Sequence, residues 1–489
     1  MKRNKLVYAS ILLATALTGC VNPGELSSLG TSEANDYVQG VTDTTIYIGN
    51  TAATSGAFAT VGVPFNAGLE AALKVYNDAG GFGEKGLKVE LKHYDDGFDG
   101  SVGLAKTEQL VEEDEVFALV GHFGTNTVEA TLDYIKEKGV PMVYAATGVS
   151  GLYNLEAKGN ERAVMSVQPI YDAEGQVLLA RALATTEGAL GLGGSKIGVI
   201  STTDDAGKGM LNGIKVEAEK LGSKITTPIT YVETSATQGT NHANAVATLK
   251  AAGCDVVIIA ANQTPFEEIM GYFNTSGYDN VKVITSYVSA NATLAGKMVG
   301  NGSVTATREA YTTAWLDITD ATYLYAPEAS NVVGTTLWAC YKALVADTPY
   351  ATMYDAGVPG FSKDYWEAAE AIFGYGLATL TGEDALVTAY GYSYNSYALA
   401  GYIAGATFLE GLERVEEANK ELTWANYIDE MEDGEIDIPM GGAINLANGY
   451  RAGIQDLALN KFGTNAYTGA GELQVYSGIT SLASVEAGI

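Results

Sequence analysis

The sequence predicts an α/β protein of two lobes, each built on a parallel sheet. Three observations carry that expectation. At 489 residues the chain exceeds one ordinary domain. Short apolar runs alternate with stretches whose apolar residues recur at helical spacing, first between residues 45 and 147 and again between residues 196 and 286. Such strictly alternating patterns pack as helices around parallel strands.

The N-terminus reads as an export signal. Lys2, Arg3 and Lys5 form a positive region, Leu6 to Leu17 an apolar region too short to span a bilayer comfortably, and Leu17-Thr18-Gly19-Cys20 resembles a bacterial lipobox. Residues 1–19 are then expected to be cleaved and Cys20 to carry lipid. Residues 20–43, with Pro23, Ser27, Ser28, Gly30, Ser32 and Asp36, read as a flexible tether.

The first alternating set opens with a strand at Thr45 to Gly49 and a loop at Thr54-Ser55-Gly56. Phe65, Leu69, Ala72, Leu73 and Tyr76 follow at helical spacing up to the Gly80-Gly81 break. Leu87 to Tyr94 alternates as a strand. Asp99 is placed to cap the next helix, whose apolar face runs through Val102, Ala105, Leu110 and Val111.

Phe117 to Thr147 is the most informative stretch. Phe117 to Val120 is a strand, Gly121 to Gly124 break it, and Thr125, Asn126 and Thr127 are residues that cap helices. Val128, Leu132 and Ile135 then recur at helical spacing until Gly139, and Met142 to Ala146 restarts a strand. In a parallel unit of this kind both strand ends lie beside the same helix N-terminus, whose N–H groups and dipole favour an anion. A carboxylate held by Thr125, Asn126, Ala145, Ala146 and Thr147 is the site hypothesis. Simple capping of a surface helix is its competitor.

In the second set the strands are Lys196 to Ser201, Ile229 to Glu233, Asp255 to Ala261 and Val281 to Ser286. A polar loop Thr202 to Gly209 leads into a helix ending at Leu221, and further helices are expected over His242 to Ala252 and Pro265 to Ser276. The span 317–360 is rich in Tyr and Trp, with a helix expected over Ala329 to Ala346. Its Tyr323, Tyr325, Trp338 and Tyr341 read as packing residues more readily than as a binding surface.

The two loops GHFGTNT and AAT resemble segments of the leucine/isoleucine/valine-binding proteins, which are periplasmic binding proteins of type I. ATSGAFATVGVPFNAGLEAA (53–72), GGFGEKGLKVELKHYDD (80–96) and AYGYSYNSYALAG (389–401) extend the likeness from Thr44 to about Phe462. The resemblance implies two Rossmann-like lobes joined by a hinge. Residues 44–167 and 306–452, with an insertion at about 317–360, would form the first lobe, and 168–305 and 453–489 the second. It also implies an extracytoplasmic ligand-binding component of an ABC importer for a small amino acid or related carboxylate, with a membrane permease as partner. A ligand sensor and a surface structural protein are the alternatives.

By the same resemblance Thr125, the Ala145 N–H and the Thr147 hydroxyl hold the carboxylate end, and Tyr392 matches an aromatic position. The relatives' disulfide positions hold Phe98 and Gly124 here. Tyr287 stands where relatives place a Glu toward the ligand ammonium, and Val61 and Ala206 stand where they place pocket aromatics. The pocket is therefore expected to be roomier and to take a different ligand, with Asp204 or Asp205 a candidate for the missing charge.

Composition excludes other classes. Lys and Arg total 28 against 58 Asp and Glu, a net charge of −30, which repels nucleic acid and anionic headgroups. Contact with the membrane is thus expected only through the lipid anchor. Three cysteines leave Cys254 and Cys340 after Cys20, expected as buried thiols, with a disulfide between them as the alternative that sequence alone does not decide. Gly191 to Gly198 precedes a strand instead of following one, Gly207-Lys208-Gly209 lacks P-loop spacing, and Lys106 stands where a calcium loop needs Glu. His93, His122 and His242 lack metal spacing, and His122 beside Thr125 lacks a third orienting group for catalysis. Neither an enzyme nor a cofactor is expected.

Overall fold

A computed structural model describes residues 38–235, 239–316, 363–382, 385–393, 395–464 and 469–489. The signal region, Cys20, most of the tether, Cys340 and the aromatic span 317–360 lie outside these residues.

Two sheets organise the chain. The first contains β1 (Thr45–Ala52), β2 (Lys88–Asp95), β3 (Ala118–Val120), β4 (Met142–Val143) and β5 (Val164–Met165). All pair in parallel, in the order β2-β1-β3-β4-β5. Helices α1 (Ala59–Ala79), α2 (Gly100–Glu112) and α3 (Thr125–Lys138) connect the first four strands. Ile46, Ile48, Leu119, Val120 and Val143 are fully buried, as strands covered on both faces require.

After α4 (Tyr171–Leu183) the same pattern repeats through β6 (Ile197–Thr202), α5 (Asp205–Leu221), β7 (Thr230–Thr234), α6 (Gly239–Ala252), β8 (Val256–Ala260), α7 (Gln263–Ser276), β9 (Val281–Thr285), α8 (Ala292–Gly300) and β10 (Arg308–Ala314). The chain continues through α9 (Lys363–Thr379), α10 (Ala385–Ser393), α11 (Ser396–Glu417), α12 (Trp424–Met431) and the hairpin of β11 (Glu435–Asp437) and β12 (Ala443–Asn445). It closes with β13 (Leu457–Thr464), β14 (Gly471–Thr480) and the short α13 (Leu482–Glu486). The second sheet runs β14-β13-β10-β9-β8-β6-β7, with β13 antiparallel to β10 and to β14.

Both sheets reverse strand order at a switch point, between β1 and β3 in one and between β6 and β8 in the other. Loops at the carboxyl ends beside such points are where open α/β sheets form crevices.

Several expectations shift. Asp204 caps α5, its carboxylate accepting from the Gly207 N–H at 3.1 Å, so the helix starts at Asp205 and the expected loop to Gly209 is helical. Only Met142–Val143 of the strand expected to Ala146 stays in the ladder, because Tyr144 adopts φ 59 and turns the chain. The boundary expected at 305/306 precedes a strand of the second sheet: β10 pairs in parallel with β9. Near the C-terminus the chain holds β14. Asp99 does cap α2, accepting from the N–H groups of Ser101 and Val102, and Cys254 is a buried free thiol.

Helix α1 lies backbone to backbone on α11. A Cβ on Gly68 would fall 1.8 Å from the Ala398 carbonyl oxygen, and one on Gly401 1.8 Å from the Phe65 carbonyl oxygen. Neither obstacle is a flexible side chain, so the helices must part to admit a methyl group. Gly68→Ala is expected to cost about 1–3 kcal/mol or more in chemical denaturation, as overpacking does. Wild-type stability in that variant contradicts the close approach.

Candidate functional site

The β3–α3 loop is shaped by two glycines, Gly121 at φ 67 and Gly124 at φ 96. A Cβ on Gly124 would also fall 2.8 Å from the Phe98 ring. The loop is zipped to the segment after β4. The Ala146 N–H donates to the His122 carbonyl at 2.8 Å, the Gly124 N–H donates to the Ala146 carbonyl at 3.3 Å, and Phe123 and Ala146 form a parallel bridge.

His122 anchors the loop from below. Its Nδ1 accepts from the Thr51 N–H at 3.5 Å, so Nε2 carries the proton and points between the Thr107 and Thr131 hydroxyls, each at 3.2 Å. Those hydroxyls themselves donate to the carbonyls of Gly103 and Thr127. Complete burial pushes the imidazole pKa down to about 4, so the ring is neutral. It is a structural post with both nitrogens engaged.

Above it stands a cluster of hydroxyls. Thr125 opens α3, and its Oγ1 lies 3.1 Å from Thr147 Oγ1. Tyr171, at the start of α4, interacts through its hydroxyl with both. All three residues are buried. The N-cap of α3 is Gly124, which offers the first-turn N–H groups no side chain. Thr125 therefore spends its hydroxyl on the cluster instead of on the helix, as a cap would not. Thr127 donates to Asp96 at 2.8 Å. Three orientable hydroxyls at the positive end of a helix suit a carboxylate.

The cluster borders a cavity of about 130 Å³, partly open to solvent, lined by residues that follow strands of both sheets. Phe58 stacks on Phe98 at 3.9 Å between centroids, and Phe65, Phe123 and Trp315 add further aromatic surface. From the second sheet come Asn262 and Gln263 after β8, Tyr287 after β9, and Asn460 within β13. Tyr287 stacks near Tyr171 at 6.3 Å, accepts from Gln168 Nε2 at 3.0 Å and donates to the Pro169 carbonyl at 2.9 Å. Gln168 and Pro169 lie on the segment between β5 and α4, beside which Ile454 donates to Val167 at 2.8 Å.

Glu174 fixes that arrangement from behind. Its carboxylate accepts from the Tyr287 N–H at 2.7 Å, from the Ser286 hydroxyl at 2.6 Å and from the Thr313 hydroxyl. Burial pushes its pKa up to about 7.

The structure brings Thr125, Ala146 and Tyr287 to the cavity wall, with Thr147 directly behind Thr125. Ala145 is buried outside the lining, and the exposed Asn126 donates to the Phe98 carbonyl at 3.3 Å. Asp204 is occupied as a helix cap, accepting also from Thr202 Oγ1 at 2.5 Å and Asn262 Nδ2 at 3.4 Å. Tyr392 sits half-buried on α10 outside the lining, whereas Tyr397 on α11 lines it. Sequence reasoning missed Phe58, Phe98, Tyr171, Trp315, Tyr397 and Asn460. Of these Asn460 had a signal, a lone amide within the apolar run Leu457-Ala458-Leu459.

A periplasmic binding protein family model matches residues 45–345. An amino acid binding protein of Pseudomonas aeruginosa is 25% identical over 221 residues, 43% of this chain and 52% of that protein. Leu/Ile/Val-binding protein homolog 3 of Brucella melitensis is 32% identical over 214 residues, 43% of this chain and 53% of that protein. The chain thus spans about half the length of these two relatives. A leucine binding protein of Thermotoga maritima superposes with a TM-score of 0.59 at 15% identity, covering 88% of this chain and 98% of that one.

Glu174 generates a pH prediction. Its folded pKa is raised above the ordinary carboxylate value, so its contribution to stability is full below about pH 4.3 and is lost as pH rises through about 7. Between about pH 5 and pH 8 the melting temperature of wild type is expected to fall relative to that of Glu174→Gln. A difference that stays constant over that range contradicts the assignment.

Proposed function

Because the chain belongs to the periplasmic binding protein family, we propose that it captures a small amino acid or related carboxylate outside the cytoplasm for an ABC importer. The observation that carries this reading is the Thr125–Thr147–Tyr171 hydroxyl cluster at the N-terminus of α3, on the wall of a cavity between two sheets. Its fold is that of the type I members, with two Rossmann-like lobes on parallel sheets. In this proposal residues 44–167 and 363–452 make the first lobe, and 168–316 with 453–489 make the second. The segments near Val167, Trp315 and Ile454 serve as the hinge.

The mechanism follows from differential contact. A carboxylate on Thr125 and Thr147 belongs to the first lobe, while Tyr287, Gln263 and Asn460 belong to the second. A ligand that touches both sets stabilises the closed arrangement over the open one. A membrane permease then reads closure as the loaded state. Among the described residues no helix is long and apolar enough to cross a membrane, and the proposed attachment is lipid on Cys20.

Titration calorimetry of the best hit from a thermal-shift panel of amino acids and organic acids tests the cradle. A ligand at a hundredfold its Kd stabilises the folded state by about 2.7 kcal/mol, enough to register in that panel. Thr147→Ala is expected to weaken binding by about 1.5–3 kcal/mol, the worth of a charge-assisted hydrogen bond. An affinity equal to wild type removes Thr147 from the site.

A further inference from the structure

Among the described residues the cavity lining contains no Asp, Glu, Lys or Arg. The nearby carboxylates are all committed elsewhere. Glu174 receives three donors behind Tyr287, and Asp204 caps α5 and takes two further side-chain donors. Asp96 accepts from Thr127 and the Phe98 N–H, and Glu129 shares a hydrogen bond with Asp205. Among the described residues, an ammonium group carried into this cavity meets rings, hydroxyls and amides but no carboxylate, and an unpaired buried charge is strongly disfavoured.

The second observation is Asn460. It is 1% exposed, it lines the cavity, and neither its Nδ2 nor its Oδ1 has a partner among the described residues. In the ladder it sits opposite Thr312, two residues from the Ala314–Ala458 pair at the strand ends. It therefore belongs to the wall contributed by the second sheet, across from the hydroxyl cluster on the first. Buried amides in folded proteins are nearly always bonded, so an unpartnered donor and acceptor on a residue of the cavity wall mark a place for a ligand group. Between the two polar ends lie Phe58, Phe98, Phe65 and Trp315, which offer ring faces to a flat or apolar body.

We propose that the ligand is an amine-free carboxylic acid with an aromatic or similarly apolar body, whose far end carries a neutral hydroxyl or carbonyl read by Asn460. This rests on the carboxylate reading of Thr125 and Thr147 and narrows it. The amide discriminates because a ligand lacking that group leaves both of its buried atoms unpaired.

The test is calorimetric titration of the full chain with four matched acids and one amide. The acids are 3-phenylpropanoate, 3-(4-hydroxyphenyl)propanoate, L-phenylalanine and L-tyrosine, and the amide is 3-(4-hydroxyphenyl)propanamide. Each amine-free acid is expected to bind at least about tenfold tighter than its amino-acid counterpart, and the hydroxylated acid about tenfold tighter than the plain one. Asn460→Ala is expected to abolish the preference for the hydroxyl while retaining 3-phenylpropanoate binding. Equal or tighter binding of the amino acids overturns the inference, as does a hydroxyl preference that survives in Asn460→Ala or the absence of binding by all four acids. Failure of the underlying carboxylate reading looks different: the amide then binds as well as its acid. Thr147→Ala, which should penalise the acid and spare the amide, separates the two failures.

Discussion

The bridge between Phe123 and Ala146 is the constraint on which the site depends. It locks the loop before α3 to the segment after β4, and so holds Thr125 and Thr147 with their hydroxyls 3.1 Å apart. Neither residue alone makes an anion cradle. Together, with the Tyr171 hydroxyl interacting with both, they gather three orientable donors at the positive end of a helix dipole. His122 secures the bridge by engaging both ring nitrogens in the buried layer beneath, where desolvation keeps it neutral. A histidine next to a candidate nucleophile thus braces the loop backbone.

The two sheets contribute unlike chemistry to the cavity. The first supplies the Thr125 and Thr147 hydroxyls and the stacked rings of Phe58 and Phe98. The second supplies neutral polar groups and Tyr287, whose loop is pinned by Glu174 through three hydrogen bonds. The contrast matches a ligand with one charged end and one neutral end. It also explains why a buried glutamate is kept so near a binding cavity without lining it: its oxygens are consumed in positioning the wall.

Local patterns made most of the fold legible. Val128, Leu132 and Ile135 announced α3, Asp99 announced its helix as a cap, and the repeated alternation announced two parallel sheets. Thr125 and Ala146, which line the cavity, were legible because loops at strand ends carry short-range signals, and Tyr287 because of the family resemblance. Tyr171, Trp315 and Asn460 were not, because what makes them site residues is the crossing of distant segments, which no local window contains. Asp204 was misjudged for a related reason. A carboxylate just before a helix satisfies backbone N–H groups there, and that local demand outcompeted a role in the cavity. Tyr392 and Tyr397 show the limit of matching by motif: one helix break between them moves the aromatic that meets the cavity five positions along.

The most direct measurement is a crystal structure of the chain bound to the acid it holds most tightly. The account predicts a carboxylate within about 2.6–3.2 Å of the Thr125 and Thr147 hydroxyls, with the rest of the ligand extending between the rings toward the second sheet. A ligand whose carboxylate points to solvent, or lies against the second sheet with the hydroxyl cluster left bonded to itself, contradicts it.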